Sequence, residues 1–474
     1  MKLSHILKNL KDVRVENFID VEVSCVTPDS RKILPGGIFV AIRGKREDGS
    51  RYIHDAYLHG AVAFVLEKTS CRTHYNNVII SKNARKTLAE MCSLIAQNPQ
   101  RELECIGITG TKGKTTTAAF LSGILSFENN KYISIGTNGA YGICTDTFPN
   151  TTPDPSVIFP LMKRAKELCA RFAVLELSSQ ALADYRVFGI NTPTAIFTGI
   201  GHDHIDRFEH NTFRDYLNAK KSLFSEHEVE NAIVNADDEY SDYIAFGVKN
   251  IIKCGEKKNS DFCITEFKNK EGGCDFFLNS TKISLAMPGL FNAKNASYAL
   301  VAASLLLNKC IKDFVGYISN IRVPGRYEHF FVGKVHVVVD YAHNEDSFRS
   351  VISLAKELYG RRIICVFGSV GERSISRRKA LALVSERLAD FSVITADDSG
   401  SEDVNKICND IYLNFTDKRK AKIITDRESA IEYAISIACP GDCVLVLGKG
   451  AEPYRNLSGK ILPYSDIYTV KSLV

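Results

Sequence analysis

Gly110, Thr111, Lys112, Gly113, Lys114, Thr115 and Thr116 stand between an apolar run containing Ile106 and Ile108 and a segment where Ala118, Ala119, Leu121 and Leu125 recur at helical spacing. A strand, a glycine-rich turn and a helix N-terminus gather unpaired backbone N–H groups at the positive end of a helix dipole, which suits an anion. There Lys114 would meet the terminal phosphates of ATP, and a hydroxyl of Thr115 or Thr116 could ligate magnesium. The loop "GTKGKT" is shorter than the common G-x-x-x-x-G-K-[ST] spacing, so an ordinary glycine-rich turn is the competing reading.

Other groups could serve the same chemistry. Glu176 ends the apolar run of "FAVLELSS", a place where a carboxylate can hold a metal that bridges phosphates. A solvated glutamate is the plainer alternative. "TGIGHDHIDRFEHNTF" offers Asp203, His204 and His210; its three histidines within nine residues raise zinc, but the oxygen-rich surroundings argue for magnesium. In "YLNAKKSLF", Lys220 would repel a metal as an ammonium. It becomes a ligand only if its charge is reversed, for example as a carbamate formed with carbon dioxide. Otherwise Lys220 and Lys221 form a solvated helix face.

The elements that must position these groups read as α/β. At 474 residues the chain needs two to four domains. Its 45% hydrophobic and 24% charged content is that of a soluble globular protein, and a net charge of +5 gives no argument for nucleic acid or membrane. "MKLSHILKNLKDV" lacks the apolar core and cleavage site of a signal peptide, and "ASYALVAASLLLN" is too short to span a bilayer and suits a buried helix. Fourteen cysteines are scattered without a C-x-x-C, as expected of reduced thiols in a cytoplasmic protein.

Three blocks are expected: 1–98, 99–322 and 323–474. The first holds the strands "GGIFVAI" and "AVAFVLE". The second alternates "FAVLELSS", "TAIFTGI" and "NAIVNADD" with helical segments, which implies a mostly parallel sheet. The polar stretch from Cys254 to Leu285 interrupts it as a small antiparallel excursion. The third, with "VHVVVDYAH", "RIICVFGS", "FSVITADD" and "CVLVLGKG", is Rossmann-like, and its ligands should collect at the carboxyl ends of those strands.

In chain order, "TGTKGKTT", "LELSSQAL", "DHID", "AKKSLF", "PGLFNAKNASYA", "VPGRYE" and "VDYAHNEDS" resemble segments of the Mur ligase family, the ATP-dependent amino-acid ligases of peptidoglycan precursor synthesis. "TPDSRKILPGGIFVAIRGKREDG" and "NTTPDP" resemble its tripeptide-synthetase members. The resemblance spans essentially the whole chain and implies a UDP-binding first domain, a central P-loop ATPase domain and a C-terminal ligase domain. It also implies a reaction in which ATP phosphorylates a carboxylate and an amine attacks the acyl phosphate.

By the same resemblance, Thr115, Glu176, His204 and a carbamylated Lys220 hold magnesium. Gly110 to Thr116, with Asn292, Asn295, Arg326 and Asp340, contact the nucleotide. His343 lies close to it and joins Lys114, Glu176, His204 and Lys220 as a catalytic group. Ser30, Asn150, Thr151, Thr152, Ser178, Gln180 and Arg186 line the path of UDP-N-acetylmuramoyl-dipeptide. Arg373, Asp397, Asp398, Gly448 and Glu452 receive a free amino acid. No nucleic-acid or membrane partner is expected, and the protein is expected to be a monomer.

The third block departs from the pattern. Diaminopimelate-adding members carry Asp-Asn-Pro-Arg, whose arginine pairs with the distal carboxylate; here "TADDSGSED" puts Gly400 at the arginine position and adds Asp398. A more acidic pocket favours L-lysine over meso-diaminopimelate. Asp397 and Asp398 could instead cap the following helix. Gly199, where the family usually has asparagine, and "VGERSISRRK" point to a divergent ligase joining an unusual amino acid. A folyl-type ligase and a non-catalytic partner are the competing classes. A P-loop GTPase lacks a legible switch arrangement.

Overall fold

The computed structural model describes residues 1–474 except 45–46, 68–74, 202–208 and 373–374. The chain divides into two units, one of residues 1–262 with 298–309 and one of 263–297 with 310–474.

The first unit carries two sheets. In the N-terminal sheet the order is Val13–Glu16, Val78–Ser81, Ala61–Leu66, Gly37–Val40, Val26–Thr27, parallel except for the first pair. The central sheet runs Asn250–Gly255, Asn231–Asn235, Thr194–Phe197, Glu104–Thr109, Phe172–Glu176, Tyr132–Gly136, Gly139–Gly142, parallel up to the closing hairpin. Its strands are apolar without alternation because helices cover both faces: Ile106, Ile108, Ala173, Val174, Ala195 and Ile196 are fully buried. Register brings the carboxyl ends together, with Phe197 beside Thr109 and Ile108 beside Glu176. The glycine loop leaves the sheet at this point.

In the second unit the expected antiparallel excursion is a meander of Phe262–Lys270, Gly273–Leu278 and Thr281–Leu285. The C-terminal sheet runs Glu328–Val332, Val335–Asp340, Cys443–Leu447, Ile363–Phe367, Phe391–Ile394, Ala421–Ile423, parallel after its first pair. One face packs on the helices Glu345–Tyr359, Ile375–Leu388 and Val404–Leu413; the other packs on Arg427–Ser436 and Asp466–Lys471. This is the doubly wound arrangement expected of a Rossmann-like block.

The helix Leu290–Leu307, which contains "ASYALVAASLLL", buries Ala296, Tyr298, Ala299, Leu300 and Val301. Among the described residues no helix is long and apolar enough to cross a membrane. Their cysteines are free thiols, mostly in the core, where Cys105 is pushed up to about 12 by burial.

Candidate active site

The loop Gly110–Gly113 joins the strand Glu104–Thr109 to the helix Lys114–Phe127. Gly113 caps the helix at φ 86, a left-handed conformation that glycine adopts without strain. A Cβ on Gly110 would overlap Thr198 Oγ1, so only glycine lets the loop pass the neighbouring strand end. Thr111 N donates to Gly199 O (2.8 Å), and Thr111 Oγ1 pairs with Tyr216 OH (2.7 Å) and accepts from Gly201 N (2.9 Å). Lys114 Nζ folds back over the loop and donates to Gly110 O at 2.9 Å. A glycine-rich loop tied down in this way at a helix N-terminus is the kind of backbone that can receive an anion.

Gly199 is explained by the same packing. Its φ is 125, and a side chain there would meet Asn235 Nδ2 and Asp238 Oδ2 at 3.0 and 3.1 Å. Asn235 and Asp238 hold this turn by donating to Thr198 O and accepting from Ile200 N.

Glu176 is 1% exposed and sits behind the loop. Its Oε2 accepts from Thr115 Oγ1 (2.7 Å) and Thr137 Oγ1 (3.2 Å), and Oε1 accepts from Thr137 N (3.2 Å). Gly136 makes room for it, since a Cβ there would overlap Glu176 Oε1. Thr137 Oγ1 also meets Thr151 Oγ1 at 3.0 Å, and Thr152 Oγ1 donates to Glu176 O at 2.7 Å. Thr116 is buried. Lys220, on the helix Phe213–Glu226, is 1% exposed with Nζ 4.5 Å from the Tyr216 ring centre. His210 is buried against Ser179 Oγ at 3.0 Å. The side-chain groups of Thr115, Thr137 and Glu176 are hydroxyl and carboxylate oxygens, which suit magnesium, whereas Lys220 and His210 bring nitrogens. Among the described residues no three His, Cys, Asp or Glu side chains gather as a metal site.

Beyond Glu176 lies a cavity of about 140 Å³, lined by Arg85, Asn150, Asp154, Asp184 and Arg186 among others. Arg186 donates to Thr152 O (2.8 Å) and lies 3.5 Å from Asp184, which also meets Arg85 at 3.3 Å. Burial pushes the Asp154 carboxyl up, against its bonds to Ser156 and the pull of Arg186 and Arg85. Ser178 Oγ caps the short helix Ser179–Ala183, on which Gln180 is exposed. Ser30 is buried at the start of the turn Ser30–Lys32.

In the second unit Asp340 ends its strand buried, accepting from Tyr327 N and Ala342 N, both at 2.7 Å. The Arg326 guanidinium lies 4.3 Å over the Tyr341 ring, and His343 Nδ1 is 2.9 Å from Tyr341 O. Asn292 Nδ2 donates to Pro288 O, and Asn295 is buried a turn further on. A second cluster surrounds Lys449, which is fully buried. Its Nζ donates to Asp398 Oδ1 and Glu452 Oε2, both at 2.8 Å, with Asp397 Oδ1 at 3.9 Å. Burial would lower the Lys449 ammonium, but Asp397, Glu452 and Asp398 outweigh it and hold it well above the usual lysine range. Burial pushes Glu452 up while Lys449 pulls it down. Tyr341 OH donates to Glu452 Oε1 at 3.0 Å. A Cβ on Gly448 would come 2.6 Å from Asp397 Oδ2, which explains that glycine.

Family models match in chain order: the Mur ligase family catalytic domain over 22–99, the Mur ligase middle domain over 108–303, and the Mur ligase glutamate ligase domain over 325–450. The UDP-N-acetylmuramoyl-L-alanyl-D-glutamate–2,6-diaminopimelate ligase of Caldanaerobacter subterraneus subsp. tengcongensis is 32% identical, covering 100% of this chain and 99% of that one. The chain belongs to the Mur ligase family. The Mur ligase of the same name from Aquifex aeolicus is 34% identical over 97% of this chain and 95% of its own. A solved structure so named superposes with a TM-score of 0.65 at 25% identity, covering 95% of this chain and 94% of that one. The Mycobacterium tuberculosis folylpolyglutamate synthase complexed with ADP shares the fold at TM-score 0.65 and 16% identity, over 77% of this chain and 91% of its own. As a Mur ligase the chain is an ATP-dependent amide ligase of three-domain architecture, and the folyl-type and GTPase alternatives fall away.

The Mur ligase structure corrects several expectations. Glu176 and Lys220 are not solvated: strand pairing and helix packing bury both. Asp397 and Asp398 do not cap the helix Val404–Leu413; Asp403 does, accepting from Asn405 N. The pocket around them is not simply acidic, because Lys449 neutralises part of its charge. The sequence reading passed over Lys449, although a lysine between two glycines after an apolar strand is a visible signal. It also passed over Gly136 and Thr137, whose role depends on strand register. His204 and Arg373 lie outside the described residues.

Proposed function

We propose that this Mur ligase joins a diamino acid, meso-diaminopimelate first, to the D-glutamate carboxylate of UDP-N-acetylmuramoyl-L-alanyl-D-glutamate in cytoplasmic peptidoglycan precursor synthesis, acting as a monomer. The observation that carries this reading is the full-length likeness, at 32–34% identity, to relatives named for that reaction. A carboxylate is anionic and resonance-stabilised and resists attack. Its oxygen attacks the γ-phosphorus of ATP, ADP leaves, and the acyl phosphate forms. The amine nitrogen then bonds to the carbonyl carbon, loses a proton and expels phosphate, leaving an amide.

In this reading the Gly110–Thr116 loop cradles the ATP phosphates and Lys114 swings from Gly110 O to the terminal phosphate. Asn292, Asn295, Arg326 and Asp340 hold the nucleotide, and His343 lies close to it as a catalytic group. Thr115, Glu176, His204 and Lys220 would hold magnesium, which when bound supplies positive charge between the phosphates and the acceptor carboxylate. A fully buried lysine would join this set as a carbamate, formed when the ε-amine adds to carbon dioxide and loses a proton. Ser30, Asn150, Thr151, Thr152, Ser178, Gln180 and Arg186 orient the uridine-linked acceptor, and Arg373, Asp397, Asp398, Gly448 and Glu452 take the amino acid. Domain limits near residues 98 and 322 belong to the same reading.

A second reading, L-lysine, is favoured by one observation: Gly400 stands where diaminopimelate-adding members carry their arginine. The experiment is a panel of amino acids with the UDP-linked dipeptide, scored by phosphate release and product mass. Amide formation with meso-diaminopimelate or L-lysine is expected. No amide from any amine, with ATP and magnesium supplied, overturns the reading.

A further inference from the structure

The helix Ala84–Ile95 lies in the span matched by the first family model and the turn at 184–188 in the span matched by the second; both belong to one compact unit. Asn83 caps that helix, its side chain accepting from Arg85 N (3.1 Å) and Lys86 N (3.0 Å), so both basic side chains leave from a fixed first turn. Arg85 Nη1 lies 3.3 Å from Asp184 Oδ1, and its Nη2 donates to Arg43 O at 3.4 Å. The Lys86 ammonium stands 4.5 Å from the centre of the Tyr185 ring and 4.8 Å from that of Phe188. Tyr185 holds a left-handed φ of 56 after the short helix Ser179–Ala183, a position usually given to glycine. Its ring, edge-on to Phe188, gains the ammonium in return. Two successive residues of one helix thus grip the turn on both sides of Arg186.

Arg186 Nη1 donates to Thr152 O at 2.8 Å, while Nη2 lies 3.5 Å from Asp184 Oδ2. Asp184 therefore turns one oxygen to each guanidinium, and neither contact is as short as the roughly 2.7–2.9 Å of a tight arginine–carboxylate bond. Asp154 feels the same two cations, but it is engaged in capping the helix Pro155–Glu167 through Ser156 N (3.0 Å) and Ser156 Oγ (2.9 Å). Arg85, Asp154, Asp184 and Arg186 line one cavity of about 140 Å³, room enough for a carboxylate. The side chains of Arg85, Asp184 and Arg186 are 28%, 22% and 18% exposed, so water only partly screens exchange between them.

We propose that Arg85 is a positioning residue for the acceptor. By drawing Asp184 toward itself, it keeps that carboxylate from closing on Arg186, whose second amino group is then left to receive a carboxylate of the acceptor. This rests on the reading of Arg186 as an acceptor contact. Without Arg85, Asp184 would pair with Arg186 alone, and an incoming anion would have to displace it. Lys86 fixes the turn through its two rings, so the exchange happens against a still backbone. A residue of the N-terminal block thereby sets the affinity of a contact in the central one.

The test is binding of the UDP-linked dipeptide, read by calorimetry on the full chain, with ATP binding as the control for a folded core. Arg85→Met is expected to weaken the acceptor about tenfold and to leave ATP within about twofold. Adding Asp184→Asn, which removes the competing charge, should return the acceptor to within about threefold of the wild type. A merely structural role would make the double variant worse than the single one. Arg85→Lys keeps the charge without the planar fork and should fall between. Should Arg85→Met lose ATP as well, Arg85→Lys and its double with Asp184→Asn carry the same comparison. An acceptor affinity unchanged within about twofold in both arginine variants, or a double variant no better than its parent, overturns the proposal while leaving the ligase reading intact. A wild type that binds ATP but no UDP-linked dipeptide overturns both.

Discussion

Around Glu176 one buried carboxylate is held by hydroxyls and a backbone N–H, whereas around Lys449 one buried ammonium is held by carboxylates. Hydroxyl donors are neutral and can turn to a new partner. Ion-paired groups in a dry setting cannot: removing one leaves the other's charge uncompensated. The first region is therefore suited to exchange ligands through a catalytic cycle, and the second to keep one shape while a substrate is measured against it. Activity should be concentrated in the first and stability in the second.

Lys114→Ala should break the comparison most visibly if it is wrong. Removing the cation from the phosphate loop is expected to lower acceptor-dependent phosphate release by about 10³-fold, with a change in melting temperature of no more than a few degrees. Equal loss of stability would make the loop structural. Gly136→Ala tests the same region through packing. Its methyl group has to displace Glu176 Oε1, and turnover should fall about 10²-fold. If the effect runs through that carboxylate, adding Gly136→Ala to Glu176→Ala should cost almost nothing more, whereas additive losses would sever the link.

How far each region could be read from the chain differs for the same physical reason. The glycine loop, its flanking strand and its helix are contiguous, so periodicity and spacing locate Lys114 and Thr115 directly. Strand and helix positions in the C-terminal block follow likewise from short apolar runs such as "RIICVFGS" and "CVLVLGKG". The partners of Glu176 do not follow, because Thr137 and Gly136 reach it only through the parallel register of their strand beside Phe172–Glu176. Lys449 meets Asp398 across 51 residues of sequence, and the fully buried Arg427–Asp466 pair spans 39. Nothing in local spacing joins them. Asp398 therefore reads as surplus acid from sequence and as half of an ion pair in the fold.

Lys449→Met sharpens the other side. It strands Asp398 and Glu452 and should cost about 2–4 kcal/mol of unfolding free energy, measured by denaturant titration at pH 7. Without its ammonium, burial raises the folded Glu452 carboxyl further above its unfolded range. A group raised in the folded state favours folding at low pH and loses that favour as pH rises. The variant's deficit should therefore narrow as pH falls toward the carboxylate range; a pH-independent deficit would mean that lost packing, not stranded charge, sets the cost.

The smallest effect lies at the edge of the C-terminal sheet, where His329 Nε2 and His336 Nδ1 are 3.0 Å apart and stack with Tyr359. Such a bond needs one ring nitrogen as donor and the other as acceptor, so double protonation breaks it. Burial, then the neighbouring His336, pushes His329 down to about 4, with Glu271 drawing it up and Arg322 down. Burial also lowers His336. A histidine lowered in the folded state leaves the unfolded chain with more bound protons between about 6.5 and 4. Stability is thus fully present above that window and falls as pH drops through it, by about 1–2 kcal/mol after allowing for solvent screening. His329→Phe keeps a ring against Tyr359 and cannot titrate, so its unfolding free energy should depend less on pH between 6.5 and 4 than the wild type's. Identical slopes would assign the acid sensitivity to carboxylates elsewhere. The contrast would then hold for Lys449 alone, and the sheet edge would contribute shape without charge.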